Sequence, residues 1–250
     1  MASIKGIIFD YGGTLDSRGE HWSEVIWKGY QWYYSNTFSK HDTIAQVNKD
    51  QFREAYVAGE RELARNRHIM PDDNFFTMMF KKAQIELNYM THAEWIEADG
   101  DAIDRAARII ATFCDNAAKD CINEATPILQ QLSQSFELML VSNFYGNIDS
   151  VLRAYGIRQF FKGIIESAVV GIRKPNPTIF KLGVDALELP AHEVLVVGDS
   201  LKKDILPAES LGCRTLWLKG IGWTSEEENI ERDDIINSIT QVPSIVEKMI

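Results

Sequence analysis

No apolar run in this chain approaches the roughly 20 residues that a bilayer-spanning helix requires, so no membrane partner is expected. Positive charge is also short. The 26 Lys and Arg residues stand against 36 Asp and Glu, giving a formal charge of -10 and a pI near 5.0. Neutralising a phosphate backbone takes clustered cations, so nucleic acid is not an expected partner either. The excess acid reads as a solvated surface. Cysteine is limited to Cys114, Cys121 and Cys213, an odd number without CxxC spacing. That argues against a disulfide framework and fits reduced core thiols in a cytoplasmic protein. Internal repeats and low-complexity segments are missing. The opening Met1-Ala2-Ser3-Ile4-Lys5 runs straight into strand-like text, so no signal peptide is expected ahead of the fold.

What is present is a 250-residue chain, long enough for one large domain or two unequal ones. Strand-like runs fall at residues 4–9, 138–142, 163–166, 194–198 and 215–218, and helical text separates those after residue 120. This is the βαβ rhythm of an α/β protein with a doubly wound, Rossmann-like parallel sheet. The long stretch after the first strand lacks convincing strands. It reads as helices over 20–35, 43–65, 73–88 and 100–119, broken at positions such as Pro71 and Gly100. Residues 1–16 and 120–250 are therefore expected to form an α/β core domain, and residues 17–119 an inserted all-helical cap domain. The tail from Glu226 to Asp234 reads as an acidic surface loop, with a last helix over 242–249.

Four short segments carry chemistry, each at the end of an apolar strand or on the loop after it. The first is Ile7-Ile8-Phe9-Asp10-Tyr11-Gly12-Gly13-Thr14, a strand ending on a carboxylate and a paired-glycine turn. Open α/β sheets place ligands at such strand ends, and glycines let backbone amides approach an anion. The second is Leu140-Val141-Ser142-Asn143. The third is Gly171-Ile172-Arg173-Lys174-Pro175-Asn176-Pro177, where Pro175 biases Lys174 toward extended backbone and Asn176-Pro177 reads as a helix N-cap and first turn. The fourth is Val196-Val197-Gly198-Asp199-Ser200, with Asp204 five residues past Asp199.

In this order and spacing the four segments resemble the haloacid dehalogenase superfamily, Mg²⁺-dependent aspartyl-phosphate phosphatases and their relatives. The resemblance covers residues 1–16 and 120–220, and the helical insert stands at the family's cap position. It implies that Asp10 is the nucleophile, attacking phosphorus to form a covalent intermediate. It implies a Mg²⁺ ion held by Asp10, the Gly12 carbonyl and Asp199, with Asp204 close behind as a ligand or as a neighbour of the ligands. Hard oxygen donors suit that ion. Lys174 would bridge Asp10 and the phosphate. Ser142 and the Asn143 amide would hold phosphate oxygens near a helix starting at about Gly146. Thr14 would orient the loop beside them. The implied partner is a small phosphorylated substrate.

One position departs from the family pattern. Family phosphatases carry Asp two residues after the nucleophile, to protonate the leaving alcohol and then activate water. Here that residue is Gly12. Losing a general acid/base costs about 100- to 10,000-fold in rate. Three readings follow. The chain is a hydrolase of substrates with good leaving groups, or borrows a group from Asp16, Glu20 or His21. It is a dehalogenase or a phosphonatase; the metal-competent fourth segment argues against halide removal, and the phosphonatase would need a cap lysine such as Lys28 or Lys49. Or it binds phosphate or a partner without turnover. In the first cap helix Trp22, Ile26, Tyr30 and Tyr33 share one face, while Trp27 and Tyr34 lie off it. The off-stripe rings are either bundle packing or substrate contacts.

Overall fold

The computed structural model describes residues 3–36, 44–220 and 229–249. Its contacts divide the chain into two compact units, residues 1–22 with 118–250, and residues 23–117.

The first unit is built on a parallel sheet. Its strands are β1 (Gly6–Phe9), β2 (Glu137–Ser142), β3 (Gly163–Glu166), β4 (Val194–Gly198), β5 (Arg214–Leu218) and β6 (Ile235–Ile236), in the spatial order β3-β2-β1-β4-β5-β6. All pairings are parallel. β1 and β4 are buried at every position, as expected of central strands covered on both faces. Ile8, Met139, Val141 and Val196 pack against Ile179, Phe180, Val184 and Leu187 of the helix α7 (Thr178–Leu187). The strand order reverses between β1 and β4, and this is where such sheets open a crevice for ligands. Phe9 pairs with both Leu140 and Val197, which brings the ends of β1, β2 and β4 to one level.

The second unit is helical. It holds α1 (Trp22–Asn36) from Ser23 onward, α2 (Lys49–Arg65), α3 (Phe75–His92) and the first half of α4 (Gly100–Ser133). Ile26, Tyr30 and Tyr33 of the expected stripe are buried at 1% exposure or less. Ala106, Ala107, Ile110, Ala111 and Cys114 form the buried face of α4, where small side chains admit close helix approach.

Several boundaries differ from the sequence reading. α2 starts at Lys49 rather than residue 43, because Asn48 and Gln51 form a reciprocal capping box there. Residue 43 itself lies outside the described residues. α4 does not stop at residue 119. It continues through Pro127 to Ser133, since a proline removes only one donor while Cys121, Ile122, Ala125, Leu129 and Leu132 keep a buried helical stripe. α7 begins one residue later than expected, with Pro177 at its N-cap and the Asn176 side chain accepting from the Thr178 amide. In the tail, residues 229–234 form the expected loop. Residues 226–228 lie outside the described residues, and Ile235–Ile236 adds a short sixth strand beside β5. Two short helices, α6 (Ser167–Val170) and α8 (Leu206–Ser210), precede the last helix, α9 (Val242–Glu247). All three cysteines are free and buried. No helix among the described residues is long and apolar enough to cross a membrane.

Candidate active site

The strand ends gather the acids. Asp10 follows β1 directly, its amide bonded to the Val197 carbonyl at 3.0 Å. Asp199 and Asp204 lie beyond β4, the latter on a π-type turn over Leu201–Ile205. Asp10, Asp199 and Asp204 each offer an oxygen within 4.8 Å of the others. Lys174 reaches in from the loop before α7, with Nζ 2.8 Å from Asp10 Oδ1 and 2.6 Å from Asp204 Oδ1. Asp10, Lys174 and Asp204 are all buried.

Two glycines make this approach possible. Gly13 has a φ of +98°, and a Cβ there would sit 2.3 Å from Asp199 Oδ2. At Gly198 a Cβ would lie 2.5 Å from the Asp204 side chain. Neither position accepts a side chain without displacing an acid. Gly12 is different. A Cβ at Gly12 would meet nothing within 4 Å, so glycine there is not imposed by packing.

Asp16 braces the turn. Its Oδ1 accepts from the Gly13 amide at 2.8 Å, while the Gly13 carbonyl accepts from the Gly19 amide at 2.6 Å. Burial raises the Asp16 pKa to about 7 against the stabilising Gly13 bond, with the Asp10 charge adding to the rise. Of the three sequence candidates for a substitute acid, Asp16 is thus buried and engaged with the loop, while Glu20 and His21 are half-buried. Thr14 donates to Asp199 Oδ1 at 3.4 Å, a long contact that places it beside the second acid.

Asn143 spends its side chain on Lys174. Oδ1 accepts from the Lys174 amide at 2.9 Å and Nδ2 donates to the Lys174 carbonyl at 3.2 Å. Ser142, the last residue of β2, is buried. The helix start expected at about Gly146 lies two residues further on. The helix α5 spans Ile148–Ala154, and Glu166 takes its leading amides, with Gly146 N–H 2.5 Å from Oε1 and further bonds from Asn147 and Ile148. A carboxylate of the chain already fills that place. Glu166 pairs with Ser142 in the β2–β3 register, so its neighbourhood is readable once the strands are aligned.

The electrostatics are lopsided. Three carboxylates face one ammonium in a buried space. Burial alone would discourage the Lys174 charge, but Asp10 and Asp204 outweigh it and raise its pKa. Burial also raises Asp204, to about 6 despite Lys174. Asp199 is pushed well above the carboxylate range by burial and then by Asp204 and Asp10. Lys174 favours the Asp199 charge too, but burial and the two neighbouring acids outweigh it. Converging oxygens with excess negative charge are a donor set that a hard divalent cation fits.

Among the candidate cap residues, Trp27 packs on Phe52 with ring centroids 5.2 Å apart, and the Tyr34 hydroxyl accepts from the Val47 amide at 3.3 Å. Both are thus engaged inside the helical unit. Lys49 pairs with Glu24 at 2.6 Å. Lys28 is exposed. Among the described residues of that unit the buried lysine is Lys82, which sequence reading passed over because it sits among α3's hydrophobic text.

A parallel switch-point sheet carries these residues at its strand ends, and the chain belongs to the haloacid dehalogenase-like hydrolases, whose family description matches residues 4–212. Among curated relatives, it is 35% identical over 91 residues to the glyceraldehyde 3-phosphate phosphatase of Pyrococcus abyssi, covering 36% of this chain and 38% of that protein. It is 31% identical over 126 residues to the phosphoglycolate phosphatase of Vibrio cholerae, covering 50% of this chain and 55% of that one. The matched regions thus span about two-fifths to just over half of these relatives. In fold it is similar to the magnesium-bound HAD-hydrolase YfnB of Bacillus subtilis, with a TM-score of 0.61 and 19% identity over 98% of this chain and 100% of that one.

Proposed function

We propose that this protein is a Mg²⁺-dependent phosphatase of a small phosphorylated metabolite, with Asp10 as nucleophile, and that residues 17–119 serve it as a cap domain. The observation that carries the reading is the Lys174 ammonium held between Asp10 and Asp204, with a third acid, Asp199, converging on the same point. Asp10, Asp199, Asp204 and the Gly12 carbonyl would hold the ion, which when bound neutralises phosphate charge against these acids.

The chain's own residues do the rest. Asp10 attacks phosphorus, a P–O(Asp) bond forms, and the bond to the leaving oxygen breaks with its electron pair on that oxygen. Lys174 orients the Asp10 carboxylate and offsets charge on the transferring group. Thr14 stands beside Asp199, and Ser142 with the Asn143 amide stands at the β2 end as phosphate-binding candidates. Water then attacks phosphorus and frees the Asp10 carboxylate. Neither step finds a proton donor or acceptor at Gly12. The favoured substrates are therefore those whose leaving oxygen departs without a proton, such as acyl and aryl phosphates.

Gly12 also supports a second reading, a phosphate- or partner-binding protein without turnover. One experiment separates them. Because Gly12 has open space, Gly12→Asp should fold normally and raise alkyl-phosphate hydrolysis by about 100-fold or more. No hydrolysis of any phosphate by either protein, with Mg²⁺ bound by both, favours the binder.

A further inference from the structure

The two downstream acids sit on a loop that must hold carboxylates together against their repulsion, and one side chain from the neighbouring strand grips that loop. Trp217 lies on β5 directly opposite Gly198, one residue before Asp199. It is 1% exposed, and its indole Nε1–H donates to the Asp199 carbonyl at 2.8 Å. Leu201 and Ile205, at either end of the π-type turn that carries Asp204, cluster with the same side chain. The Trp217 amide is itself tied to the Asp234 carbonyl at 2.8 Å, which anchors this part of β5 on its outer side.

From this arrangement we infer that Trp217 is a positioning residue for the acidic cluster, setting cation affinity by holding the Asp199 main chain. The inference rests on the metal reading given above. A buried carbonyl that loses its donor is left unsatisfied, and the Asp199 backbone is then free to relax away from Asp10 and Asp204. Partners that orient ligand residues affect metal affinity by about 10- to 100-fold. A residue that merely fills the core would act through packing alone, which leads to a discriminating pair of variants. Trp217→Phe keeps an aromatic ring and removes the N–H. Leu201→Ala loosens the packing and keeps the N–H.

The test is a Mn²⁺ titration of the full chain followed by electron paramagnetic resonance. Wild type should bind with saturation, Trp217→Phe about tenfold more weakly, and Leu201→Ala much closer to wild type. Equal weakening in the two variants, or none in Trp217→Phe, overturns the inference while leaving the metal reading intact. Absence of saturable binding in wild type overturns both. Should Trp217→Phe fail to fold, wild type still decides the matter. The chain has six tryptophans, so its indole N–H resonances are few. One slowly exchanging indole signal should shift as Mg²⁺ is added, and a saturating titration that moves no protected indole contradicts the role.

Discussion

In the sheet unit Lys174 is shared by Asp10 and Asp204, with Asp199 left over beside them; in the helical unit Lys82 pairs with Glu60, and Glu86 is left over. Both units therefore bury more carboxylate than ammonium. They differ in what surrounds the surplus. Around Asp199 the neighbours are strand-end loops, two glycines that yield space, and other acids aimed at a common point. Around Glu86 they are packed helices. Tyr30 of α1 donates to Oε2 at 3.0 Å, and Oε1 has no hydrogen-bond partner among the described residues. Lys82 on α3, Glu60 on α2 and Cys114 on α4 complete the charged and titratable surroundings, with Tyr56 of α2 under the Lys82 ammonium. Burial lifts the Glu86 pKa to about 7, against the pull of Lys82 and Tyr30. In the helical unit burial favours a proton on the surplus acid, up to about pH 7. In the proposed reading the sheet unit answers its surplus with a divalent cation, and that difference separates a structural acid from a working one.

The largest expected effect comes from removing the shared lysine. Lys174→Ala leaves buried acids unpaired and should cost about 3–5 kcal/mol of stability, read by urea unfolding. Turnover should fall by roughly 100-fold or more in the same protein. Unchanged stability would mean that the acids are not ionised together, and the contrast between the units would dissolve.

Glu86→Gln comes next. Below pH 4.5 both folded and unfolded chains hold the proton. Between about 4.5 and about 7 only the folded chain does, so wild-type stability falls as pH rises through that window and the loss is complete above it. The variant should escape this, gaining about 3 kcal/mol over wild type at pH 8 relative to pH 4, by thermal or urea melts. Asp16 and Asp204 shift in the same direction, and the difference between the two proteins removes their share. A constant difference across the window would place Glu86 among ordinary carboxylates.

The smallest effect is a control. Arg18 pairs with Glu124 at 2.7 Å with more than half of its side chain in solvent. Arg18→Ala should change stability by under about 1 kcal/mol, and less at high salt. A larger loss would show that exposed pairs here matter as much as buried ones.

How legible these features were depended on the range of the forces that set them. The β1 run ending at Asp10 could be read because apolar continuity and a glycine turn are local signals. So could the strand ends at Ser142 and Gly198. The run of α4 past residue 119 to Ser133 was missed because the stripe that sustains it is rewarded only by tertiary packing. β6 is two residues long, too short for any periodicity. Glu166 and Trp217 act across strands, and their importance appears only once the sheet register is known. At Gly12 the residue type was plain from the sequence, but the open space around it was not.

The central claim is that Asp10 carries the phosphoryl group. Mixing the protein with acetyl phosphate and Mg²⁺, quenching in acid and mapping the modified peptide by mass spectrometry tests it most directly. The account predicts one phosphoryl group on Asp10 that disappears in Asp10→Asn together with phosphate release. Label on another residue, or phosphate release that persists in Asp10→Asn, would contradict it.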